Sequence, residues 1–126
     1  MNDLSWVEVT YHNFSSIPEK PGVYLIVTKC TDNKKRVIYS GQSTNLYDRI
    51  PDHWCDSEAN KQLKDAIQNH TSAINVFYAV TSMSILDETE KYLFDHFKPQ
   101  FQDRAPEVEP VSCSLPDLAK GKVNFN

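Results

Sequence analysis

Four side chains in this sequence are of the types that phosphodiester hydrolysis requires, namely Tyr24, Tyr39, Arg49 and Glu90. A phenol can position a water molecule or accept its proton, and a guanidinium can hold a phosphate through two parallel hydrogen bonds. A lone carboxylate suits Mg²⁺, which keeps several of its waters when protein-bound. Together these groups could cut a phosphodiester with one metal ion, provided that separate elements of the fold bring them together.

Two predicted strands carry the tyrosines. Residues 23–30 form a near-continuous run of β-branched, aromatic and aliphatic side chains, which favours a strand buried on both faces. Residues 36–41 form the second strand. The polar segment between them, 31–35, is short, so we predict an antiparallel hairpin.

The remaining elements follow from apolar periodicity and capping residues. We predict, in order, a helix at 46–50, a helix at 58–69, a strand at 73–81 and a helix at 85–97. Pro51 should interrupt or restart the first helix because proline has no backbone N–H, while Ser57 and Ser84 should cap the other two. The first twenty residues form a lead-in strand or an ordered arm. The order β-β-α-α-β-α indicates a small mixed α/β domain with a mainly antiparallel sheet.

Length and composition place limits on the class of protein. The 126 residues are 40% hydrophobic and 24% charged, as expected for one globular domain with a modest core. We assign 1–104 to a catalytic domain and the proline-containing stretch 105–126 to a tail that is partly draped or disordered. No apolar run is long enough to span a membrane, no secretory signal is recognised, and three scattered cysteines suggest reduced thiols. We therefore expect a cytoplasmic protein.

The net charge of −4 argues against coating DNA by long-range attraction. This charge does not exclude a site that binds one or two phosphates locally.

The position of Glu90 within its predicted helix is informative. At 100° per residue it falls at the edge of the apolar side, whereas Glu88 falls on the polar side. An ionised carboxylate at that edge needs a cation or hydrogen-bond donors to offset its desolvation. A metal ion or an Arg or Lys salt bridge would meet this need.

The tyrosine-bearing motifs, taken in order, resemble those of the GIY-YIG nuclease family. The resemblance rests on Gly22-Val-Tyr24, Tyr39-Ser-Gly41, the stretch 41–49 that ends in arginine, and the segment from Glu90 to Pro99, and it covers about 20–104. It implies a small α/β domain with a three-stranded antiparallel sheet, a divalent metal on the glutamate, and hydrolysis of DNA.

The resemblance also implies roles for individual residues. Glu90 would bind Mg²⁺ or Mn²⁺, Arg49 would hold the scissile phosphate, and Tyr24 would be the base or water-positioner with Tyr39 as its partner, an assignment that could be reversed. The supporting residues are Gly22, Gly41 and Gln102, the last standing where the family often has asparagine. His53 stands four residues after Arg49 and would share its face on an unbroken helix. The resemblance implies that His53 assists the water or the leaving group, and a surface position is the alternative.

Weaker candidates remain. Lys34, Lys35 and Arg36 form either a solvated hairpin tip or a contact to the DNA backbone, and Asn45 is a weak candidate for substrate binding as well as a helix cap. We expect the acidic residues of 56–58 to be solvated.

An alternative is a non-catalytic binding module of the same fold, and another is an unrelated α/β domain. Because no appended DNA-recognition motif is present, a homodimer or a protein partner is a possible source of specificity.

Overall fold

A computed structural model describes residues 3–29, 35–55, 57–69, 73–102 and 104–118. The strands are β1 (Val7–Val9), β2 (Gly22–Lys29), β3 (Lys35–Ser43) and β4 (Ile74–Val80), and the helices are α1 (Leu46–Asp52), α2 (Lys61–Asn69) and α3 (Leu86–Phe97). Within these ranges the strands form one antiparallel sheet in the order β1-β4-β2-β3. The predicted mixed α/β class and antiparallel sheet are confirmed.

The sheet has four strands, so the expected number of three is wrong. The additional strand comes from the first twenty residues, where β1 pairs with β4 from Val7 opposite Tyr78 to Val9 opposite Val76. A three-residue strand carries too little alternation to be distinguished from an arm in the sequence, and its pairing depends on a partner about seventy residues away. β3 forms the opposite edge of the sheet.

Helices on both faces explain the apolar character of β2 and β4. One core packs the sheet against α1, α2 and a 3₁₀ turn at Tyr11–Ser16, and the other packs it against α3. Along β2, Tyr24 and Ile26 enter the first core while Val23 and Leu25 enter the second. Because apolar side chains cover both faces of these strands, apolar residues follow one another along each strand without alternating with polar ones.

Helix α1 differs from its prediction in a way that matters for the site. Pro51 neither interrupts nor restarts it, and the helix continues to Asp52 with His53 as its C-cap in the right-handed helical region. The backbone N–H of His53 bonds to the Ile50 carbonyl at 3.2 Å, so the chain remains coiled. Arg49 and His53 therefore stay one turn apart on the same side.

The starts of the other two helices also shift. α2 begins at Lys61 because Asn60, and not Ser57, accepts the Leu63 N–H, at 3.0 Å. A 3₁₀ turn capped by Ser82 precedes α3, so Ser84 is not its cap. Polar residues with capping ability lie close together in both places, and the tertiary packing selects among them.

The described part of the predicted tail is packed against the second core. Cys113 is buried, and Leu115 and Leu118 lie beside it. Ser114 accepts the Leu4 N–H through its side chain at 2.7 Å and the Trp6 indole N–H through its carbonyl at 2.9 Å. Residues 104–118 thus pack against the second core and hydrogen-bond to the N-terminal segment. Residues 119–126 lie outside the described residues.

Across the described ranges, none of the helices has both the length and the apolar character needed to cross a bilayer.

Candidate active site

Three buried side chains form a hydrogen-bonded chain on the α1 side of the sheet. The Tyr24 hydroxyl lies 2.7 Å from Nε2 of His53, and Nδ1 of the same ring lies 2.6 Å from Oε1 of Glu58. Tyr24 and His53 are each 1% exposed, and the Glu58 side chain is 7% exposed. Tyr24 comes from β2, His53 from the end of α1, and Glu58 from the connection between α1 and α2.

The partners determine where the protons lie in this chain. Glu58 accepts the Asn60 backbone N–H with Oε2 at 2.7 Å, and its Oε1 faces the His53 ring. A carboxylate only accepts, which assigns the ring proton to Nδ1 and leaves Nε2 to accept from the Tyr24 hydroxyl. Burial, and then the charge of Arg49, lower the pKa of His53 despite the opposing effect of Glu58. His53 is therefore neutral at neutral pH, and its contact with Glu58 is a hydrogen bond between imidazole and carboxylate.

Gly41 allows the Tyr24 ring to lie across β3. The two residues are cross-strand partners. A Cβ added at Gly41 would overlap the ring carbon that bears the hydroxyl and would lie 2.5 Å from the hydroxyl oxygen itself. Gly22 has a similar role for α1, since an added Cβ would overlap the Ala79 carbonyl oxygen and lie 2.6 Å from Leu46. Both motif glycines therefore make room for close packing.

Tyr39 and Arg49 form the more accessible part of the site. The Tyr39 ring is half-buried, with its centroid 4.9 Å from that of His53 and 6.4 Å from that of Tyr24. Arg49 donates a hydrogen bond to the Tyr39 hydroxyl. The arginine also lines an open pocket of about 270 Å³ together with Asp52 and Glu58. A ligand can thus reach a guanidinium that is already held in place.

Glu90 reaches the same region from α3, on the opposite face of the sheet. Its side chain is buried (7% of the residue is exposed), and the side-chain amides of Gln42 and Gln102 donate to it. Gln102 also accepts the backbone N–H of Ser40 at 2.8 Å, so it connects the carboxylate to β3. β3 is the edge strand, and Glu90 lies close enough to raise the pKa values of Tyr24 and Tyr39.

The groups of the site shift one another's pKa values. Burial raises the pKa of Tyr24, and the Tyr39 phenol and the Glu90 carboxylate raise it further. Burial and Glu90 likewise raise the pKa of Tyr39, which Arg49 opposes. Burial lowers the pKa of Arg49, but the surrounding phenols and carboxylates outweigh that effect and raise it. The guanidinium remains charged, whereas both phenols remain protonated in the resting protein.

The surroundings of Glu90 would suit a single divalent cation held by one carboxylate. Burial, the largest cause, and Asp87 raise its pKa, while the two glutamine amides lower it. Among the described residues, the ion pairs do not include Glu90, and no cluster of three or more His, Cys, Asp or Glu side chains could enclose a metal. A buried carboxylate with neutral donors still lacks a compensating charge. A hard divalent cation that keeps most of its waters would supply it.

Several weaker candidates do not join the site. Lys35 and Arg36 lie at the start of β3, with Lys35 buried in the strand and Arg36 exposed, and five residues of strand, about 17 Å, separate Arg36 from Gly41. Asn45 caps α1 by accepting the Asp48 N–H at 3.3 Å. Lys34 lies outside the described residues, as does Asp56.

Sequence reasoning missed two residues of the site. Glu58 was expected to be solvated, but its side chain is buried against His53. The two residues are five positions apart across a turn, and helix or strand periodicity does not predict such a contact. The surface alternative for His53 is likewise wrong. Gln42 was not identified at all. It directly follows Gly41 on β3, and strand alternation predicts that its side chain faces away from the tyrosines.

Comparison with known proteins identifies the family of this chain. A family model, the GIY-YIG catalytic domain, matches residues 20–103. The chain belongs to the GIY-YIG family. All of the principal candidates fall inside the matched range, and the initial strand β1 falls outside it. No curated protein sequence matches the chain.

Solved structures show the same fold. A point mutant of the GIY-YIG N-terminal endonuclease domain of UvrC from Thermotoga maritima, bound to its catalytic divalent cation, is 19% identical with a TM-score of 0.54. The alignment covers 74% of this chain and 93% of that one. The same UvrC domain bound to magnesium is 18% identical with a TM-score of 0.53, over 73% and 93% of the two chains. The GIY-YIG nuclease fold of this protein is thereby established.

Proposed function

We propose that this GIY-YIG protein is a metal-dependent endonuclease that hydrolyses DNA phosphodiester bonds by in-line attack of water. The proposal is supported by two phenols, a guanidinium and a neutral imidazole that lie together beside β3, and by a buried carboxylate, Glu90, close enough to raise the pKa values of both phenols. DNA is proposed as the substrate because GIY-YIG nuclease domains act on it. Magnesium or manganese is proposed because the related UvrC domain binds a divalent cation, which is magnesium in one structure.

Arg49 would bind the scissile phosphate. Its hydrogen bond to Tyr39 orients the guanidinium, which is only partly buried and therefore accessible to a ligand. A guanidinium donates two parallel hydrogen bonds to non-bridging oxygens and so stabilises the charge that develops during attack.

Tyr24 and His53 would handle the proton of the attacking water. A phenol whose pKa is raised does not rest as phenolate, so Tyr24 can accept a proton only while it passes its own to Nε2 of His53. The lowered pKa keeps His53 neutral, and with its proton on Nδ1 the Nε2 atom would be able to receive one from Tyr24. Tyr39, held by Arg49, would position the water.

Glu90 would hold the metal ion, and the amides of Gln42 and Gln102 would fix the orientation of its carboxylate. When bound there, a divalent cation would offset phosphate charge and lower the pKa of water. Selection among DNA sequences or structures would come from loops, the segment 104–118, a second copy or a protein partner.

Incubation with labelled duplex, single-stranded and branched DNA tests the activity. We expect cleavage of at least one substrate with Mg²⁺ or Mn²⁺ and none with chelator. Cleavage that persists in chelator would contradict the metal role.

Glu90→Gln separates a nuclease from a binding module. Loss of the metal ligand should lower the cleavage rate at least about 100-fold, since a catalytic cation supplies several kcal/mol, while binding to DNA or protein should survive. Asp95→Asn is the matched control. It removes a charge from the exposed face of the same helix, where Asp95 pairs with Lys91, and the rate should stay within about twofold.

A further inference from the structure

We propose that Glu58 is a positioning residue that fixes His53 in the Nδ1–H tautomer and so sets the direction of proton transfer from Tyr24. The kinetic consequence of this inference rests on the proposed nuclease function of the same site, whereas the tautomer itself does not. Glu58 lies between α1 and α2, outside every motif that identifies the family.

The geometry of Glu58 assigns it a role beyond helix capping. One carboxylate oxygen, Oε2, accepts the Asn60 N–H at 2.7 Å, which is enough to support the start of α2. The other oxygen lies 2.6 Å from Nδ1 of His53. Keeping a carboxylate buried is unfavourable unless both oxygens have donors, and the second donor here is the ring that contacts Tyr24.

The tautomer decides what Tyr24 can do. With the proton on Nδ1, Nε2 accepts from the Tyr24 hydroxyl at 2.7 Å. With the proton on Nε2, the same contact would require Tyr24 to accept, and its own proton would have no route to the ring. Glu58 makes the first arrangement the stable one because its carboxylate cannot donate to Nδ1.

Glu58 also acts on the charged ring. His53 is faced by Tyr24 from β2, Tyr39 from β3, and Arg49 from α1, with Asp52 close by in the sequence. Arg49 opposes a positive charge on the ring, while Glu58 and Asp52 favour it. When a proton moves from Tyr24 to Nε2, the carboxylate of Glu58 accepts a hydrogen bond from the resulting imidazolium.

Nitrogen NMR on the intact protein with ¹⁵N-labelled histidine tests the tautomer without any cleavage assay. The wild type should show His53 protonated at Nδ1 alone. Glu58→Gln keeps an acceptor oxygen and should retain this tautomer with a lower ring pKa. Glu58→Ala removes the acceptor and should give a mixture of tautomers. Asp52→Asn, which removes a nearby charge but no hydrogen bond to the ring, should leave the tautomer unchanged. Circular dichroism confirms folding of each variant.

Cleavage kinetics then measure the consequence. Glu58→Gln should lower kcat about tenfold with little change in KM, and should shift the acid limb of kcat/KM to lower pH. Glu58→Ala should lower kcat about 100-fold. An Nδ1–H tautomer that persists in folded Glu58→Ala, or a pH profile unchanged in Glu58→Gln, overturns the inference. If the wild type cuts no DNA but the tautomer shifts as expected, the positioning role stands and the proposed nuclease activity fails.

Discussion

At the scale of single residues, the two motif tyrosines have different environments. Tyr24 is buried, with its hydroxyl on His53, while Tyr39 is half-buried and receives a hydrogen bond from Arg49. The Tyr24 hydroxyl therefore contacts a proton acceptor, whereas the Tyr39 hydroxyl contacts a positively charged guanidinium. This difference favours Tyr24 for proton transfer and Tyr39 for positioning.

Tyr24→Phe should lower cleavage at least about 100-fold because it removes the hydroxyl proposed to transfer the proton. It should also destabilise the protein by about 1–2 kcal/mol, since Nε2 of His53 loses its buried partner. Tyr39→Phe should lower cleavage with less effect on stability, because the Arg49 guanidinium is partly exposed. Urea denaturation and single-turnover kinetics measure both effects. Equal stability losses in the two variants would contradict the assigned environments.

His53 should make stability depend on pH. Its pKa is lowered in the folded protein, so as pH falls through about 6.5 the unfolded chain binds a proton that the native ring does not. Stability is fully present above that pH and decreases below it, until the folded pKa is reached. Urea denaturation at pH 7.5 and 5.5 should show a smaller decrease for His53→Gln than for the wild type. Identical decreases would remove His53 as the cause.

At the scale of elements, the site depends on how closely β2, β3 and α1 approach. Gly41 lets a ring from β2 lie across β3, and Gly22 lets α1 pack near β4. The unbroken course of α1 past Pro51 then keeps His53 one turn from Arg49. α3 approaches from the other face and contributes Glu90 at the edge of β3.

The two glycines should respond differently to alanine. Gly41→Ala must displace the Tyr24 ring, so we expect loss of the contact with His53, a destabilisation of about 1–3 kcal/mol and a fall in cleavage of about 100-fold. Gly22→Ala meets the Ala79 carbonyl and should destabilise to a similar extent. It does not touch Tyr24, so cleavage below its melting temperature should fall less. A Gly41→Ala protein that cleaves normally would show that the ring position is unimportant.

At the scale of the whole molecule, the described part of the predicted tail packs against the rest of the chain. Ser114 bonds to both Leu4 and Trp6, and Cys113 is buried against the α3 side of the sheet. Burial raises the pKa of the Cys113 thiol to about 11, which keeps it unreactive at neutral pH. The segment 104–118 is therefore part of the second core.

Truncation after Arg104 should destabilise the protein by about 2–5 kcal/mol because it exposes apolar surface of the second core. Thermal and urea denaturation measure the loss. Cys113→Ser is the milder variant, in case the truncated chain does not fold, and should cost about 1–3 kcal/mol by burying a hydroxyl. A truncated protein as stable as the full chain would support the predicted domain boundary at 104 and contradict a stabilising role for the segment 104–118.

Local sequence patterns were enough for the class of fold and the hairpin, and the resemblance to the GIY-YIG family supplied the principal candidates. Strands β2 and β4 are apolar on both faces, and Tyr24, Arg49 and Glu90 stand in motifs that are short in sequence. The edge position of Glu90 on its helix followed from periodicity alone, and the structure finds its side chain buried there.

Tertiary structure alone decided the pairing of β1, the burial of Glu58 and His53, and the packing of residues 104–118. These features depend on contacts such as Gln102 with Ser40 and Leu4 with Ser114, which are 62 and 110 positions apart. Periodicity and capping describe neighbours within a few residues, so they carry no information about such pairs. Which groups are available for chemistry was therefore set by sequence, and how their protons and charges are arranged was set by the fold.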